Sequence, residues 1–177
     1  MSQPTYKLYP PGTLGRVFID LALTTINSIK PATVEFDDYL SIRSVQGFID
    51  AVETIRASVI DTTRINPFPR TGNDNRAILK KIPSFNKARP DTVIDYALQA
   101  LRKGGYNLLA EEITAPSLMR LEFYEYSKRG YASYGGFKDH PYRKASLMDL
   151  TLAIIGSYLA VSALLENKLY YLIPAPY

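Results

Sequence analysis

Hydrophobic residues recur along this chain at the three- and four-residue spacing that is typical of amphipathic helices. The clearest stripe runs through Val45, Phe48, Ile49, Val52, Ile55 and Val59. Arg56 lies off that stripe, so we expect its side chain on the solvated face of the helix. Over the whole chain the spacing predicts helices at residues 13–29, 44–62, 91–103, 114–130 and 146–167, with shorter helical turns at 75–82 and 107–113.

Residues that commonly start and stop helices lie at the ends of these stretches. Asp91 and Thr114 are expected to be N-caps, and Ser146 followed by Asp149 matches the pattern of a capping box. The glycine pair at 104–105 is expected to end the helix that Asp91 begins. The helix boundaries therefore follow from local sequence signals as well as from periodicity.

The stretch from Leu150 to Leu165 contains 16 uncharged and mostly apolar residues. It is shorter than the roughly 20 residues that span a bilayer, so we expect a buried central helix. No segment of four or more residues alternates cleanly enough to require a β-sheet. The sequence therefore predicts an all-α fold with a helical bundle in its C-terminal half.

Prolines and composition divide the predicted fold into three parts. Residues 1–12, with three prolines and a glycine, are expected to form an extended arm that lies against a neighbouring subunit. Residues 13–89 are expected to contain helices and a basic loop at 64–89, and residues 90–177 the bundle. The tail KLYYLIPAPY is expected to be a second extended, adhesive segment.

Composition adds a few constraints to this picture. The chain of 177 residues is long enough for one domain with a substantial core. It contains no cysteine, which excludes disulfides, thiolate metal sites and a cysteine nucleophile. Fourteen tyrosines and no tryptophan suit packing surfaces that are partly hydrated. The N-terminal residues lack the apolar core of a secretion signal.

Positive charge is concentrated in the basic loop at residues 64–89. This loop carries seven cations against the single anion Asp74, whereas the rest of the chain has a small net negative charge. A local cationic excess of this kind attracts a phosphate backbone. The alternative is a solvated, mobile insert. Apolar residues interleaved with the cations, Phe68, Ile78, Leu79 and Phe85, favour an anchored binding segment.

The candidate nucleic-acid-binding residues are the seven cations of the basic loop and three arginines that precede it. We expect the arginines to make forked phosphate contacts and the lysines to act as point charges. No zinc finger, basic zipper or RNP motif is present, so recognition of backbone and shape is expected. The ten residues are Arg64, Arg70, Arg76, Lys80, Lys81, Lys87, Arg89, Arg56, Arg43 and Arg16.

Catalytic chemistry is not indicated, and we expect neither enzyme activity nor a cofactor or metal. His140 is the only histidine and is expected in a polar turn, which disfavours a metal site and a catalytic triad. The carboxylate pairs Glu111–Glu112 and Glu122–Glu125 are expected on helices, and Glu122 and Glu125 are expected to pair with Lys128 or Arg129 at helical spacing. No glycine motif has the spacing of a nucleotide-binding loop.

Three segments carry a resemblance to a known family: the arm TYKLYPPG, the helix stop LRKGGYNLLAEE and the turn EYSKRGYASYGG before the last apolar helix. With this layout the chain resembles the major capsid (coat) proteins of filamentous and rod-shaped viruses of hyperthermophilic archaea. The likeness covers roughly residues 90–170 in pattern and the rest in architecture only.

The resemblance implies a structural coat protein that wraps double-stranded DNA in an A-like form and polymerises into a helical virion. The implied partners are duplex DNA, further copies of the chain, a second homologous coat subunit and a lipid envelope. The net charge of +4 is modest for a protein that lines dense DNA, unless a second subunit shares this role. The alternative function is a small helical nucleic-acid-binding subunit of an RNA-guided defence complex.

Overall fold

The computed structural model describes residues 3–121, 144–166 and 168–173 of the chain. They form a mixed α/β fold with three small antiparallel sheets, so the prediction of an all-α fold is wrong. The helices are α1 (Leu14–Ile29), α2 (Val45–Ile55), α3 (Gly72–Lys81), α4 (Thr92–Arg102), α5 (Tyr106–Leu109) and α6 (Leu147–Leu159), with a π-helical turn (Arg56–Ile60) directly after α2.

The strands are β1 (Thr5–Lys7), β2 (Val34–Phe36), β3 (Tyr39–Ile42), β4 (Glu112–Thr114), β5 (Lys144–Ser146), β6 (Val161–Leu165) and β7 (Lys168–Leu172). They pair in the orders β1-β3-β2, β4-β5 and β6-β7. Each strand has only three to five residues. Segments this short contain too little alternation to be distinguished from helical spacing.

Helices α1 and α6 form the centre of the core. Helix α6 is buried on nearly every side, as its apolar sequence predicts. Its backbone touches that of α1, because a Cβ atom added at Gly156 would lie 1.9 Å from the carbonyl oxygen of Phe18. Helix α1, from the region predicted at 13–89, therefore packs directly on α6, from the predicted bundle at 90–177.

The capping box predicted at the start of α6 is confirmed. The Ser146 hydroxyl accepts a hydrogen bond from the backbone N–H of Asp149, and the Asp149 carboxylate accepts one from the N–H of Ser146. The second carboxylate oxygen of Asp149 accepts the N–H of Tyr9 at 3.0 Å. Burial raises the pKa of Asp149 to about 6. Asp149 therefore fixes both the helix start and the N-terminal segment.

The extended arm expected at residues 1–12 packs, over its described part, against the chain's own core. Strand β1 pairs with β3, with Tyr6 opposite Leu40. The side chains of Tyr6, Leu8 and Tyr9 are buried. The arm is extended as predicted, but its apolar side chains are satisfied within the same chain.

The region between α5 and α6 differs from the helices predicted there. Helix α5 is a single turn, and the chain then enters β4, in which Thr114 is the last residue instead of an N-cap. Pairing of Ile113 with Ala145 buries both side chains, which outweighs the local helical preference. The described part of the helix predicted at 114–130, up to residue 121, contains no helix.

The helix predicted over 146–167 ends at Leu159, and a β-hairpin of strands β6 and β7 follows. The Tyr171 ring packs edge-on against Phe18, with 5.2 Å between ring centroids. Its hydroxyl donates a hydrogen bond to the carbonyl oxygen of Pro67. A continued helix would not place Tyr171 in this position, so tertiary packing overrides helical propensity here.

Candidate nucleic-acid interface

The basic loop is built around helix α3, which begins with a capping box. The Thr71 hydroxyl accepts the N–H of Asp74, and the Asp74 carboxylate accepts the N–H of Thr71 at 2.8 Å. The same carboxylate receives weaker hydrogen bonds from the backbone and hydroxyl of Ser117. Because Asp74 is buried in these contacts, the only anion of the segment does not face the exposed cations.

Apolar side chains fix the segment to the core, as the interleaved sequence predicts. Of the four predicted anchors, Phe68, Ile78 and Phe85 are buried and Leu79 is partly buried; Ile82 is buried as well. Phe68 precedes α3, Ile78 lies within it, and Phe85 follows it. The segment is therefore a folded part of the domain and not a solvated insert.

Arg70 holds the segment together from the inside. Its guanidinium donates hydrogen bonds to the carbonyl oxygens of Phe68 at 2.7 Å and Lys87 at 2.6 Å, and to the side-chain oxygen of Asn75 at 3.0 Å. It also lies over the Phe85 ring. Burial lowers the pKa of Arg70. With its donors used internally, Arg70 does not present the phosphate fork that the sequence predicts.

Arg56 is also an internal residue, contrary to the expectation of a solvated side chain. It forms ion pairs with Asp91, at 3.1 Å, and with Asp95, and its side chain is only 20% exposed. The hydrogen bond with Asp95 raises the pKa of Arg56. Asp91 also binds Arg89 at 2.7 Å. Asp91 is therefore engaged by two arginines and makes no side-chain cap for α4.

Three further predicted residues are held by groups of the same chain. Arg16 is buried and donates to Asp20 at 2.8 Å, to the carbonyl oxygen of Tyr9 at 3.1 Å and to that of Asp37. Arg43 forms an ion pair with Glu35, and Lys81 with Glu111 at 2.7 Å. Arg16 thus supports the fold, whereas Arg43 and Lys81 are surface residues with a neutralising partner.

Four predicted residues remain exposed without a carboxylate partner in the described part of the chain: Arg64, Arg76, Lys80 and Lys87. We call these four the exposed cations. Arg76 donates to the side-chain oxygen of the neutral Asn73. Arg76 and Lys80 are four residues apart in α3 and so share one face of the helix. Arg89 adds an exposed guanidinium whose charge Asp91 offsets.

The other candidate groups do not form a second site. Glu111 and Glu112 do not act as a carboxylate pair, because Glu111 binds Lys81 and Glu112 binds Lys144. Among residues 3–121, 144–166 and 168–173, no group of acidic or histidine side chains is arranged to hold a metal ion. His140, Glu122 and Glu125 lie outside the described residues.

No helix in the described ranges is long and apolar enough to cross a membrane. Comparison of the chain with protein-family models, with curated proteins and with solved structures found no match.

Two features of the interface were not predicted from the sequence. One is the clamp formed by Arg70, whose partner carbonyl at Lys87 is 17 residues away. The other is the hydrogen bond from Tyr171 to Pro67, which brings the hairpin against the start of the basic loop. Neither has a local sequence signal, because both depend on backbone positions set by the complete fold.

Proposed function

We propose that this chain binds double-stranded DNA through the exposed cations, without reading base sequence, and coats the duplex as a structural protein. The observation that carries the proposal is the exposure of Arg64, Arg76, Lys80 and Lys87 on a segment that is itself anchored in the core. A cation that is fixed by the fold loses less conformational freedom when it meets a phosphate than one on a mobile loop.

The pattern of internal pairing supports backbone recognition. Arg70 and Arg56, which have the planar fork suited to bidentate base contacts, are used within the fold. Among the exposed cations, Lys80 and Lys87 act as point charges on flexible stems. Such groups neutralise phosphates with little dependence on sequence.

Copies bound side by side would form the structural coat that the resemblance to archaeal virus coat proteins implies. The virion would then be the site of action, and a second homologous subunit would share the neutralisation of DNA. The mixed α/β fold lacks the all-helical architecture that accompanied this resemblance. The coat role therefore rests on the surface charge and not on the fold.

A salt titration of duplex binding tests the proposal. Four phosphate contacts give a slope of about −3.6 for log K against log salt concentration, because each neutralised phosphate contributes about −0.9. Between about 50 and about 200 mM salt, the affinity should fall roughly 100-fold. A flat salt response would contradict the proposal.

Binding assays with duplex DNA, single strands and RNA, together with micrographs, separate the DNA-coating role from the alternative of a defence-complex subunit. A coat protein should prefer duplex DNA and should form filaments on linear DNA in negative-stain micrographs. A defence-complex subunit should prefer RNA or single strands and should yield isolated particles.

A further inference from the structure

The hairpin of β6 and β7 presents an apolar outward face to solvent. Residues directly opposite each other in an antiparallel pair lie on the same face, and this register places Ala163 beside Tyr170 and Leu165 beside Lys168. Leu172 follows on that face, two residues after Tyr170. We call Ala163, Leu165, Lys168, Tyr170 and Leu172 the hairpin face; Leu165 is 60% exposed and Leu172 is 67% exposed.

Most of the large exposed apolar side chains of the described residues lie in this hairpin, with Leu165, Tyr170 and Leu172 on the hairpin face and Leu164 on the opposite face. The others, Tyr39, Leu108 and Leu121, are isolated in sequence. A two-stranded hairpin is marginal by itself, so an exposed apolar face on one is a feature that a binding partner would stabilise.

The small area of the hairpin face limits the kind of partner that can bind it. Leu165, Tyr170 and Leu172 together expose about 350 Å², taking roughly 200 Å² for each fully exposed residue. A stable complex between freely diffusing proteins needs about 800 Å² on each partner. The hairpin face is too small for that, so its partner must already be held nearby at high local concentration.

The position of the hairpin beside the basic loop indicates that DNA would hold the partner close to the hairpin face. Tyr171, on the opposite face of β7, donates its hydroxyl to Pro67, which lies between Arg64 and Arg70 in the basic loop. When the basic loop rests on a duplex, the hairpin lies beside it. A protein that binds without sequence preference fills adjacent sites on that duplex with further copies of itself.

We propose that the hairpin face is the contact between neighbouring copies of this chain on one duplex and makes DNA binding cooperative. This inference rests on the proposed function. It adds that the contact is too weak to join copies in free solution and forms only when DNA brings them together.

The test compares a short duplex with a long one. A domain of 177 residues spans about 40 Å, which corresponds to about 12 base pairs. A duplex of about 12 base pairs therefore accepts one copy, and one of about 120 base pairs accepts many. Affinities for both are measured by fluorescence anisotropy at one salt concentration.

The informative variant is the double substitution Leu165→Thr with Leu172→Thr, which keeps strand propensity and net charge. Its matched control is Leu121→Thr, which replaces a similarly exposed leucine outside the hairpin. All three proteins should bind the short duplex equally. When affinity is expressed per available site, which removes the effect of the larger number of sites on the long duplex, the wild type and the control should bind the long duplex on the order of 100-fold more tightly than the short one, and the hairpin variant should lose this gain.

A hairpin variant that keeps the gain, or a wild type that shows none, would overturn the inference while leaving duplex binding intact. If the wild type binds neither duplex, the proposed function fails and this inference fails with it. The melting temperatures of the wild type, the hairpin variant and the control should agree, because the substituted side chains are exposed.

Two further measurements test whether the hairpin face binds a second copy in free solution or a lipid bilayer. Without DNA, sedimentation should show monomers at micromolar concentration; a stable dimer that the hairpin variant dissolves would overturn the inference. Flotation with phosphatidylglycerol vesicles should leave the protein unbound. Binding to vesicles that the hairpin variant abolishes would assign the face to a bilayer instead.

Discussion

The guanidinium carbon of Arg70 lies 5.2 Å from the centroid of the Phe85 ring, so a cation and an aromatic side chain from opposite ends of the basic loop stack on each other. Together with the three hydrogen bonds that Arg70 donates, this contact joins the residues before α3 to those after it. The shape of the cationic surface therefore depends on Arg70, although Arg70 is only partly exposed to solvent.

Replacement of Arg70 by lysine should weaken duplex binding although the net charge is unchanged. Lysine keeps the charge but cannot reproduce the planar fork, so the carbonyl oxygens of Phe68 and Lys87 lose their donors. We expect affinity to fall about tenfold, equivalent to about 1.4 kcal/mol. Backbone amide exchange should also accelerate across residues 68–89. Binding is measured by anisotropy and exchange by mass spectrometry.

The matched control for this change is Arg76→Lys. Arg76 is exposed, so lysine at this position preserves a phosphate contact, and affinity should change less than about twofold. Equal affinities for the Arg70 and Arg76 variants would show that Arg70 does not position the surface.

Removal of single exposed cations should change the salt dependence as well as the affinity. Lys80→Ala and Lys87→Ala should each make the slope of log K against log salt shallower by about 0.9, because one fewer phosphate is neutralised. Lys30→Ala, at an exposed position outside the basic loop, should leave the slope unchanged. An unchanged slope in both loop variants would place the DNA elsewhere.

The stability of the protein relative to a variant with asparagine at position 149 should increase as the pH falls from neutral to mildly acidic. Burial raises the pKa of Asp149 from 3.8 to about 6 in the folded state. Between about pH 6 and pH 4 the folded protein binds this proton more strongly than the unfolded chain does. Stability from this group is therefore gained as the pH falls through that window and lost as it rises.

The pKa difference of about two units corresponds to about 3 kcal/mol. Urea unfolding of the wild type and Asp149→Asn at pH 7 and pH 4.5 should detect about 2 kcal/mol of it, because the window extends below pH 4.5. The difference in unfolding free energy, wild type minus variant, should move in favour of the wild type at the lower pH. A difference that is constant, or that moves the other way, would contradict the burial of this carboxylate.

Replacement of Gly156 by alanine should severely destabilise the fold. The added Cβ would lie 1.9 Å from the carbonyl oxygen of Phe18 and 2.5 Å from its carbonyl carbon, so α1 and α6 must separate. We expect a loss of about 3 kcal/mol or more in the free energy of unfolding. Gly72→Ala is the control, because a Cβ there meets nothing within 4 Å. It should be neutral or slightly stabilising in urea unfolding.

Local signals in the sequence predicted most of the helices. The stripe from Val45 to Ile55 forms α2, and the apolar stretch from Leu147 to Leu159 forms the buried α6. Ser146 and Asp149 form the predicted capping box. These features depend on residues within a few positions of each other, which is the range over which helical hydrogen bonds and caps act.

Contacts between distant parts of the chain could not be predicted in this way. The charge count locates a cationic segment, but the sequence does not show that Arg56 pairs with Asp91, 35 residues later. It also does not show that Tyr171 contacts Pro67. Of the ten candidate residues, Arg56, Arg70 and Lys81 are held by such long-range contacts, whereas Arg89 pairs with Asp91 only two residues away.

The pairing of β1 with β3 inside one chain has a consequence for how copies meet. Because the N-terminal segment is already seated in its own protein, no strand has to be exchanged when one molecule joins or leaves another. Any assembly of this chain would then form between units whose N-terminal strand is already paired, and a subunit that detaches could be replaced without re-pairing of that strand.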